Sequence, residues 1–240
     1  MRVDGRAPDE LRPVEIELAP IAYPEGSALI RMGQTWVLCA VTAQHGVPRW
    51  RQGTGEGWLT AEYALLPRST RQRTPRRHIE GGRAQEIRRL IGRSLRRAVD
   101  LTLLGERTLF VDCDVLQADG GTRTASITGG YVAVAQAIHY LVEEGKVPAE
   151  TLLPPVAAIS AGVVDDKSLL DLNYHEDSRA QVDLNVVMDA KGRFIEVQGT
   201  AEGDPIPRDI LDALLSLSAP GVETLIHEQR KVLAWTGLEP

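Results

Sequence analysis

The chain is organised around residues 109–126, LFVDCDVLQADGGTRTAS, where a predicted strand passes through a glycine turn into a predicted helix. Every second residue of the first part is apolar, which is the pattern of a strand with one buried face. These residues are Leu109, Val111, Cys113 and Val115. The stretch that follows, Thr124–Glu143, is apolar on much of its surface and predicts a long helix.

Further strands and helices are predicted on both sides of this unit. Strands are expected at residues 14–18, 27–32, 35–42, 58–66, 156–164, 169–173, 182–188 and 193–198. Helices are expected at residues 83–99, 208–217 and 222–235. No Pro/Gly/Ser-rich linker divides the chain, so we expect one α+β or mixed α/β domain over residues 1–240, organised as two similar halves without a visible sequence repeat.

The overall charge hides a strongly basic segment. The net charge of the 240 residues is −6, which by itself does not suggest a nucleic-acid partner. Between Pro67 and Arg97, however, eleven arginines and only two acidic residues give a local charge of +9. A block this basic is the electrostatic footprint of a site for a polyanion.

The cysteines and the hydropathy pattern indicate the compartment. Cys39 and Cys113 each lie in an apolar run without metal-type spacing, so they are predicted to be buried free thiols in a reducing environment. No apolar run reaches the length of about 18 residues that a membrane span needs. The first residues, MRVDGR, lack the apolar core of a secretory signal. We therefore expect a cytoplasmic protein that does not contact a membrane.

The turn at residues 119–126, DGGTRTAS, is a candidate anion site. Its two glycines allow a sharp turn and a close approach of the backbone to a ligand. The first amides of the following helix are unpaired donors, and the helix dipole favours an anion there. Arg123 adds a planar fork that matches phosphate oxygens. The same residues are also compatible with a simple glycine turn before a helix, with Arg123 in solvent.

A second candidate site lies in the acidic segment 171–185, DLNYHEDSRAQVDLN. Asp177 and Asp183 come from a loop and from the following strand, and carboxylates brought together in this way can hold Mg²⁺ through their oxygens. Such a metal would offset charge on phosphate during displacement. Solvated loop carboxylates are the alternative interpretation. No Ser/His/Asp arrangement or cysteine nucleophile is evident, so chemistry without a protein nucleophile fits the chain better than covalent catalysis.

The segment 68–78, RSTRQRTPRRH, is a candidate contact for an RNA backbone. Arginine without lysine favours bidentate contacts with phosphate, and the absence of aromatic residues argues against base stacking. The arginines concerned are Arg68, Arg71, Arg73, Arg76 and Arg77. A solvated charged loop and a subunit interface are the alternatives.

Several long motifs in one order resemble the ribonuclease PH family over nearly the whole chain. The most specific are GWLTAEY at 57, GRAQEIRRLIGRSLR at 82, DCDVLQADGGTRTASITG at 112, DLNYHEDS at 171 and VQGTAEG at 197. The resemblance implies a two-half β-α-β-α domain like that of a small-subunit ribosomal protein. It also implies a hexamer, a trimer of dimers. The segment from Arg76 to Gly82 is about three residues shorter than is usual in the family.

The resemblance also implies an activity and its residues. The family is expected to trim the 3′ ends of tRNA precursors by phosphorolysis, a reversible reaction in which inorganic phosphate releases nucleoside diphosphates. Arg83 and the turn Gly121-Thr122-Arg123 would bind phosphate. Asp177 and Asp183 would support catalysis and Mg²⁺, or Mn²⁺ in its place. Two further hypotheses are a catalytically silent RNA-binding subunit of an exosome-like ring and a hydrolase that uses water instead of phosphate.

Overall fold

Nine strands in two sheets are present in the computed structural model, which describes residues 2–76 and 81–234. The first sheet has the order β1-β2-β3-β5-β4 and the second β7-β6-β8-β9. The first comprises β1 (Val14–Leu18), β2 (Gly26–Met32), β3 (Thr35–His45), β4 (Trp58–Leu65) and β5 (Arg107–Gln117). The second comprises β6 (Val156–Val164), β7 (Lys167–Leu170), β8 (Val182–Asp189) and β9 (Phe194–Ala201). The helices are α1 (Gly82–Leu95), α2 (Leu101–Leu104), α3 (Thr122–Glu143), α4 (Tyr174–Asp177) and α5 (Arg208–Leu233).

Two pairs of predicted strands that are adjacent in the sequence form antiparallel hairpins. β2 and β3 pair antiparallel around a tight turn at Gly33, whose φ of +55° suits glycine. β8 and β9 pair antiparallel in the second sheet. The exception to the antiparallel pattern is β4, which runs parallel to β5 and reaches it through the crossover that contains α1.

Helix α3 lies between the sheets and explains why so much of its surface is apolar. It packs against β2 and β3 of the first sheet and against β6 of the second. Its buried residues therefore face several directions rather than one stripe, as expected for a helix enclosed by protein. A Cβ atom at Gly26 would lie 2.1 Å from the carbonyl oxygen of Ala133 in α3, and one at Gly129 would lie 2.7 Å from the side chain of Ile30 in β2. Glycine at both positions therefore permits the close approach of helix and sheet.

Some predicted boundaries were wrong. The helix expected to reach residue 99 ends at Leu95 and continues as a 3₁₀ turn over Arg96–Ala98. The two helices expected at the end of the chain are one helix, α5, with Pro220 inside it. Proline removes one backbone hydrogen bond, but α5 packs on β6, β7 and β8, and this packing holds the helix together across the residue.

The predicted fold class is confirmed, since both halves combine a sheet with packed helices. Cys39 and Cys113 are buried free thiols on adjacent strands. No helix within residues 2–76 and 81–234 is long and apolar enough to cross a membrane.

Candidate functional site

One cavity brings together four of the residues that the sequence singled out in separate segments, whereas the predicted phosphate-binding Gly121 and Thr122 are not part of its lining. It has a volume of about 600 Å³ and is formed by the first turns of α1 and α3 with α4, β8 and β9. Its walls carry Arg83, Glu86, Arg123, Asp177, Asp183 and Gln198. Residues separated by more than 100 positions in the sequence therefore share one site.

The glycine turn lies beside this cavity, at the start of α3. Gly120 and Gly121 have φ values of +76° and +65°. A Cβ atom at Gly120 would lie only 2.5 Å from the carbonyl oxygen of Leu172, so glycine is required for both conformation and space. No side chain caps the start of α3 at Gly121, which leaves the first-turn amides available to an anion.

Arg123 is fixed in position before any ligand arrives. Its Nη1 atom donates to Oε1 of Gln198 at 3.1 Å and to Oε1 of Glu86 at 3.4 Å. The amide of Gln198 in turn donates to the same Glu86 oxygen at 2.7 Å. The Arg123 side chain is 14% exposed, so most of its rotamer freedom is already lost. Such a pre-set guanidinium can receive an anion without further ordering.

Sequence reasoning missed these supporting residues. Glu86 and Gln198 lie within motifs that were quoted above, but their pairing with Arg123 required the fold. Tyr63 was missed as well; its hydroxyl lies 2.8 Å from the Thr122 hydroxyl. Burial raises the pKa of Tyr63, so the phenol stays protonated and available for this hydrogen bond.

Arg83 lines the cavity from the first turn of α1. Its side chain is exposed, in contrast to that of Arg123. The two arginines place positive charge on both the α1 and the α3 side of one cavity, which favours an anionic ligand between them.

Asp177 and Asp183 face the same cavity, and burial raises the pKa of both. Burial raises the pKa of Asp177, although the charges of Arg83 and Arg123 act in the opposite direction. Burial also raises the pKa of Asp183, and the charge of Asp177 raises it further. Asn185 donates weakly to Asp183 at 3.5 Å. Two half-buried carboxylates that repel each other gain from a shared cation or proton.

The donor set suits a metal that needs few protein ligands. Within the described residues no group of three or more His, Cys, Asp or Glu side chains is arranged to hold a metal. Two carboxylates, however, are the number that Mg²⁺ commonly takes from protein when water and substrate phosphate oxygens complete its coordination. The pair Asp177 and Asp183 fits that requirement.

The four predicted RNA-contacting arginines that the structure describes are not part of the lining of this cavity. Arg68, Arg71, Arg73 and Arg76 are exposed. Arg71 lines a neighbouring cavity of about 770 Å³, together with Asp119 at the edge of the glycine turn. Arg77 lies outside the described residues. Arg68, Arg71, Arg73 and Arg76 therefore form an exposed basic segment that is not part of the lining of the first cavity.

The cavity combines two arginines and two carboxylates beside the uncapped start of α3, a set of groups that suits an anionic ligand. Comparison with known sequences agrees. Residues 10–138 match the 3′ exoribonuclease family, domain 1, and residues 154–219 match domain 2 of the same family. The chain belongs to the 3′ exoribonuclease family.

Curated relatives cover nearly the whole chain. Ribonuclease PH of Moorella thermoacetica is 56% identical over 97% of this chain and 94% of its own length. Ribonuclease PH of Corynebacterium efficiens is 53% identical, over 97% of this chain and 96% of the relative. Ribonuclease PH of a Synechococcus strain is 54% identical, over 96% of this chain and 94% of the relative.

Solved structures show the same fold at lower identity. Rice (Oryza sativa) Rrp46 has a TM-score of 0.79 at 21% identity, covering 97% of this chain and 100% of the other. An Archaeoglobus fulgidus exosome with RNA bound to the active site has a TM-score of 0.79 at 25% identity, covering 95% of this chain and 92% of that one.

Proposed function

We propose that the cavity between α1, α3 and α4 binds inorganic phosphate beside the 3′ end of an RNA strand. The chain is an enzyme, a phosphate-dependent 3′-to-5′ exoribonuclease that removes nucleotides from tRNA precursors and releases nucleoside diphosphates. The observation that carries the assignment is that Arg83, Arg123, Asp177 and Asp183 line one cavity, with the uncapped start of α3 beside it.

The phosphate subsite consists of Arg83, Arg123 and the turn that includes Gly121 and Thr122. The first-turn amides of α3 and the guanidinium of Arg123 can donate hydrogen bonds to different oxygens of one phosphate. The amides point along the helix axis, whereas the planar guanidinium is carried on a side chain. Glu86 and Gln198 keep Arg123 in place. An anion of tetrahedral shape with several oxygens satisfies this set better than a water molecule does, which supports phosphorolysis rather than hydrolysis.

The reaction follows from this placement. An oxygen of inorganic phosphate attacks the phosphorus of the terminal phosphodiester, and the bond from that phosphorus to the 3′ oxygen of the preceding nucleotide breaks. The products are a nucleoside diphosphate and an RNA shortened by one nucleotide with a free 3′ hydroxyl. Phosphate is largely ionised at neutral pH, so no strong base is needed, and catalysis rests on positioning and electrostatics.

Asp177 and Asp183 have two roles in this scheme. They are the residues that would hold Mg²⁺, or Mn²⁺, whose positive charge offsets charge that develops on the scissile phosphate. As the alternative role, Asp177 or Asp183 transfers a proton to the leaving 3′ oxygen instead of holding the metal, because a carboxyl group that holds a metal is deprotonated. Burial raises the pKa of both residues and so favours the protonated form that this alternative needs.

The RNA strand approaches over the basic surface formed by Arg68, Arg71, Arg73 and Arg76, with Arg77 as the fifth member of the predicted group. The side chains of Arg68, Arg71, Arg73 and Arg76 are exposed, and Arg71 lines a cavity together with Asp119 of the glycine turn. They suit the sugar–phosphate backbone and carry no base-reading chemistry. We expect binding that depends strongly on salt.

A homo-hexamer, a trimer of dimers, is the assembly we propose, in the cytoplasm. One related structure, at 25% identity, is an archaeal exosome core. The alternative of a catalytically silent ring subunit is not favoured, because relatives at 52–56% identity are named ribonuclease PH and this chain retains both arginines and both aspartates of the site.

The test uses purified protein, Mg²⁺ and a tRNA with a few extra 3′ nucleotides, with and without inorganic phosphate. Shortening that requires phosphate and releases nucleoside diphosphates is expected. Shortening without phosphate, with nucleoside monophosphates as products, would identify a hydrolase instead. RNA that binds but is not shortened under either condition would favour the silent subunit.

A further inference from the structure

A buried ion pair outside the cavity connects two of its walls. Arg12, in the segment that leads to β1, has a relative exposure of 5%, and Asp171, between β7 and α4, has 0%. The Nη2 atom of Arg12 donates to Oδ1 of Asp171 at 2.6 Å, and Nε donates to Oδ2 at 3.0 Å. The backbone amide of Arg12 donates to the same Oδ2 atom at 2.8 Å. Neither residue lines the cavity of the catalytic aspartates.

The third arm of the Arg12 guanidinium reaches the glycine turn. Its Nη1 atom donates to the carbonyl oxygen of Asp119 at 2.6 Å. The carbonyl oxygen of Gly120 accepts a hydrogen bond of 2.6 Å from the hydroxyl of Thr35. At Gly121, a Cβ atom would lie 2.9 Å from Nη2 of Arg12. The guanidinium of Arg12 therefore binds both the Asp171 carboxylate and the backbone at Asp119, where the glycine turn begins.

Asp171 is held in an uncommon conformation that leads into α4. Its φ is +52°, which costs energy for a residue with a side chain. Its amide donates to the carbonyl oxygen of Ser160 at 2.7 Å, and the hydroxyl of Ser160 accepts from the amide of Leu172 at 3.1 Å. The chain direction at this point sets where α4, and with it Asp177, begins.

A second arginine holds the other end of the same short helix. Arg2 donates from Nε and Nη2 to the two carboxylate oxygens of Glu176, both at 2.8 Å. Glu176 also closes a capping box with Asn173 and immediately precedes Asp177. An isolated helix of four residues has no stability of its own, so its position depends on these contacts.

We propose that Arg12 and Asp171 are positioning residues that set the separation between the phosphate turn, Gly120–Arg123, and Asp177. The two segments are in van der Waals contact at Gly120, and the guanidinium bridge prevents them from sliding past each other. The inference rests on the proposed phosphate site and adds two residues that touch neither substrate nor metal. Its consequence is selective: disturbing the bridge changes phosphate use, while the exposed arginines of the basic surface, which make no hydrogen bond to the bridge, continue to bind RNA.

Two near-isosteric variants test the bridge. Arg12→Lys keeps the charge and the apolar stem but cannot bind Asp171 and Asp119 together, because an ammonium has no planar fork. Asp171→Asn keeps the shape and removes the charge. We expect kcat/KM for phosphate to fall roughly 10²-fold in each, the cost of a misplacement of about 1 Å. The rise in Tm on addition of phosphate should shrink, and the Kd for the RNA 3′ end should stay within about twofold.

A matched control separates positioning from loss of stability. Ile138 is buried in α3, about 22 Å along the helix from Arg123, and Ile138→Ala should lower Tm while leaving phosphate kinetics intact. Folded variants with unchanged phosphate kinetics would overturn the inference, as would an equal loss in Ile138→Ala. If Arg12→Lys does not fold, Asp171→Asn decides. A wild-type enzyme that trims RNA without phosphate would instead remove the proposed function, and the inference with it.

Discussion

Replacing Arg123 with alanine tests the central assignment most directly. The side chain is 14% exposed and is held by Glu86 and Gln198, so it is already ordered for its ligand. A hydrogen bond to a charged group contributes about 1.5–3 kcal/mol, and the guanidinium fork can make two of them to phosphate. Because water replaces part of this interaction in the variant, we expect a loss of about 3–4 kcal/mol, or roughly 10²–10³-fold in kcat/KM for phosphate.

The assay follows release of nucleoside diphosphates from a tRNA with extra 3′ nucleotides over a range of phosphate concentrations. Arg193→Ala is the matched control, because Arg193 pairs with Asp189 at the far end of β8 from Asp183. Circular dichroism and Tm establish that both variants are folded. A folded Arg123→Ala enzyme with the phosphate dependence of the wild type would refute the phosphate assignment, whereas equal losses in both variants would show that the effect is not local.

Three further changes have defined outcomes. Asp183→Asn should abolish trimming yet raise Tm at pH 7, by about 2–4 °C for each kcal/mol gained when the buried charge and its repulsion by Asp177 are removed. Because the pKa of Asp183 is raised in the folded state, ionised Asp183 costs stability above that pKa, and the advantage of the variant should fade as the pH falls through it. Gly120→Ala should destabilise the protein by more than Gly192→Ala, since both glycines have positive φ but only Gly120 is crowded, and urea denaturation would compare them. The double variant Arg71→Ala, Arg73→Ala should lower the slope of log Kd against log salt by about 0.7 for each RNA phosphate that it no longer neutralises. Fluorescence anisotropy measures this slope, and an unchanged slope would show that these arginines do not bind the RNA backbone.

Much of the site was readable from residue types. The glycine turn, Arg123 and the pair Asp177 and Asp183 were chosen from chemistry, and Arg83 from the resemblance. Arg83, Arg123, Asp177 and Asp183 line one cavity, and the glycine turn lies beside it. Their functional roles stay predictions until the variants are measured.

Other parts could not be predicted, because they depend on interactions between segments far apart in the sequence. The attachment of Arg123 by Gln198 spans 75 residues, and the bond from Arg12 to Asp171 spans 159. No local pattern encodes which acid an arginine will meet. The continuous α5 has a similar explanation, because a proline ends an isolated helix but not one packed along three strands.

The sequence by itself determined the local elements, since alternation, helical periodicity and glycine turns act over a few residues. It also placed the basic segment, and its long motifs indicated the family. Only the tertiary structure decided which residues face one another. The cavity exists because α3 lies between the two sheets. Its first turn therefore shares a cavity with α4 and with β8 of the second sheet. Close packing makes such an arrangement specific, and the pKa values of Asp177 and Asp183 rise because that packing removes them from water.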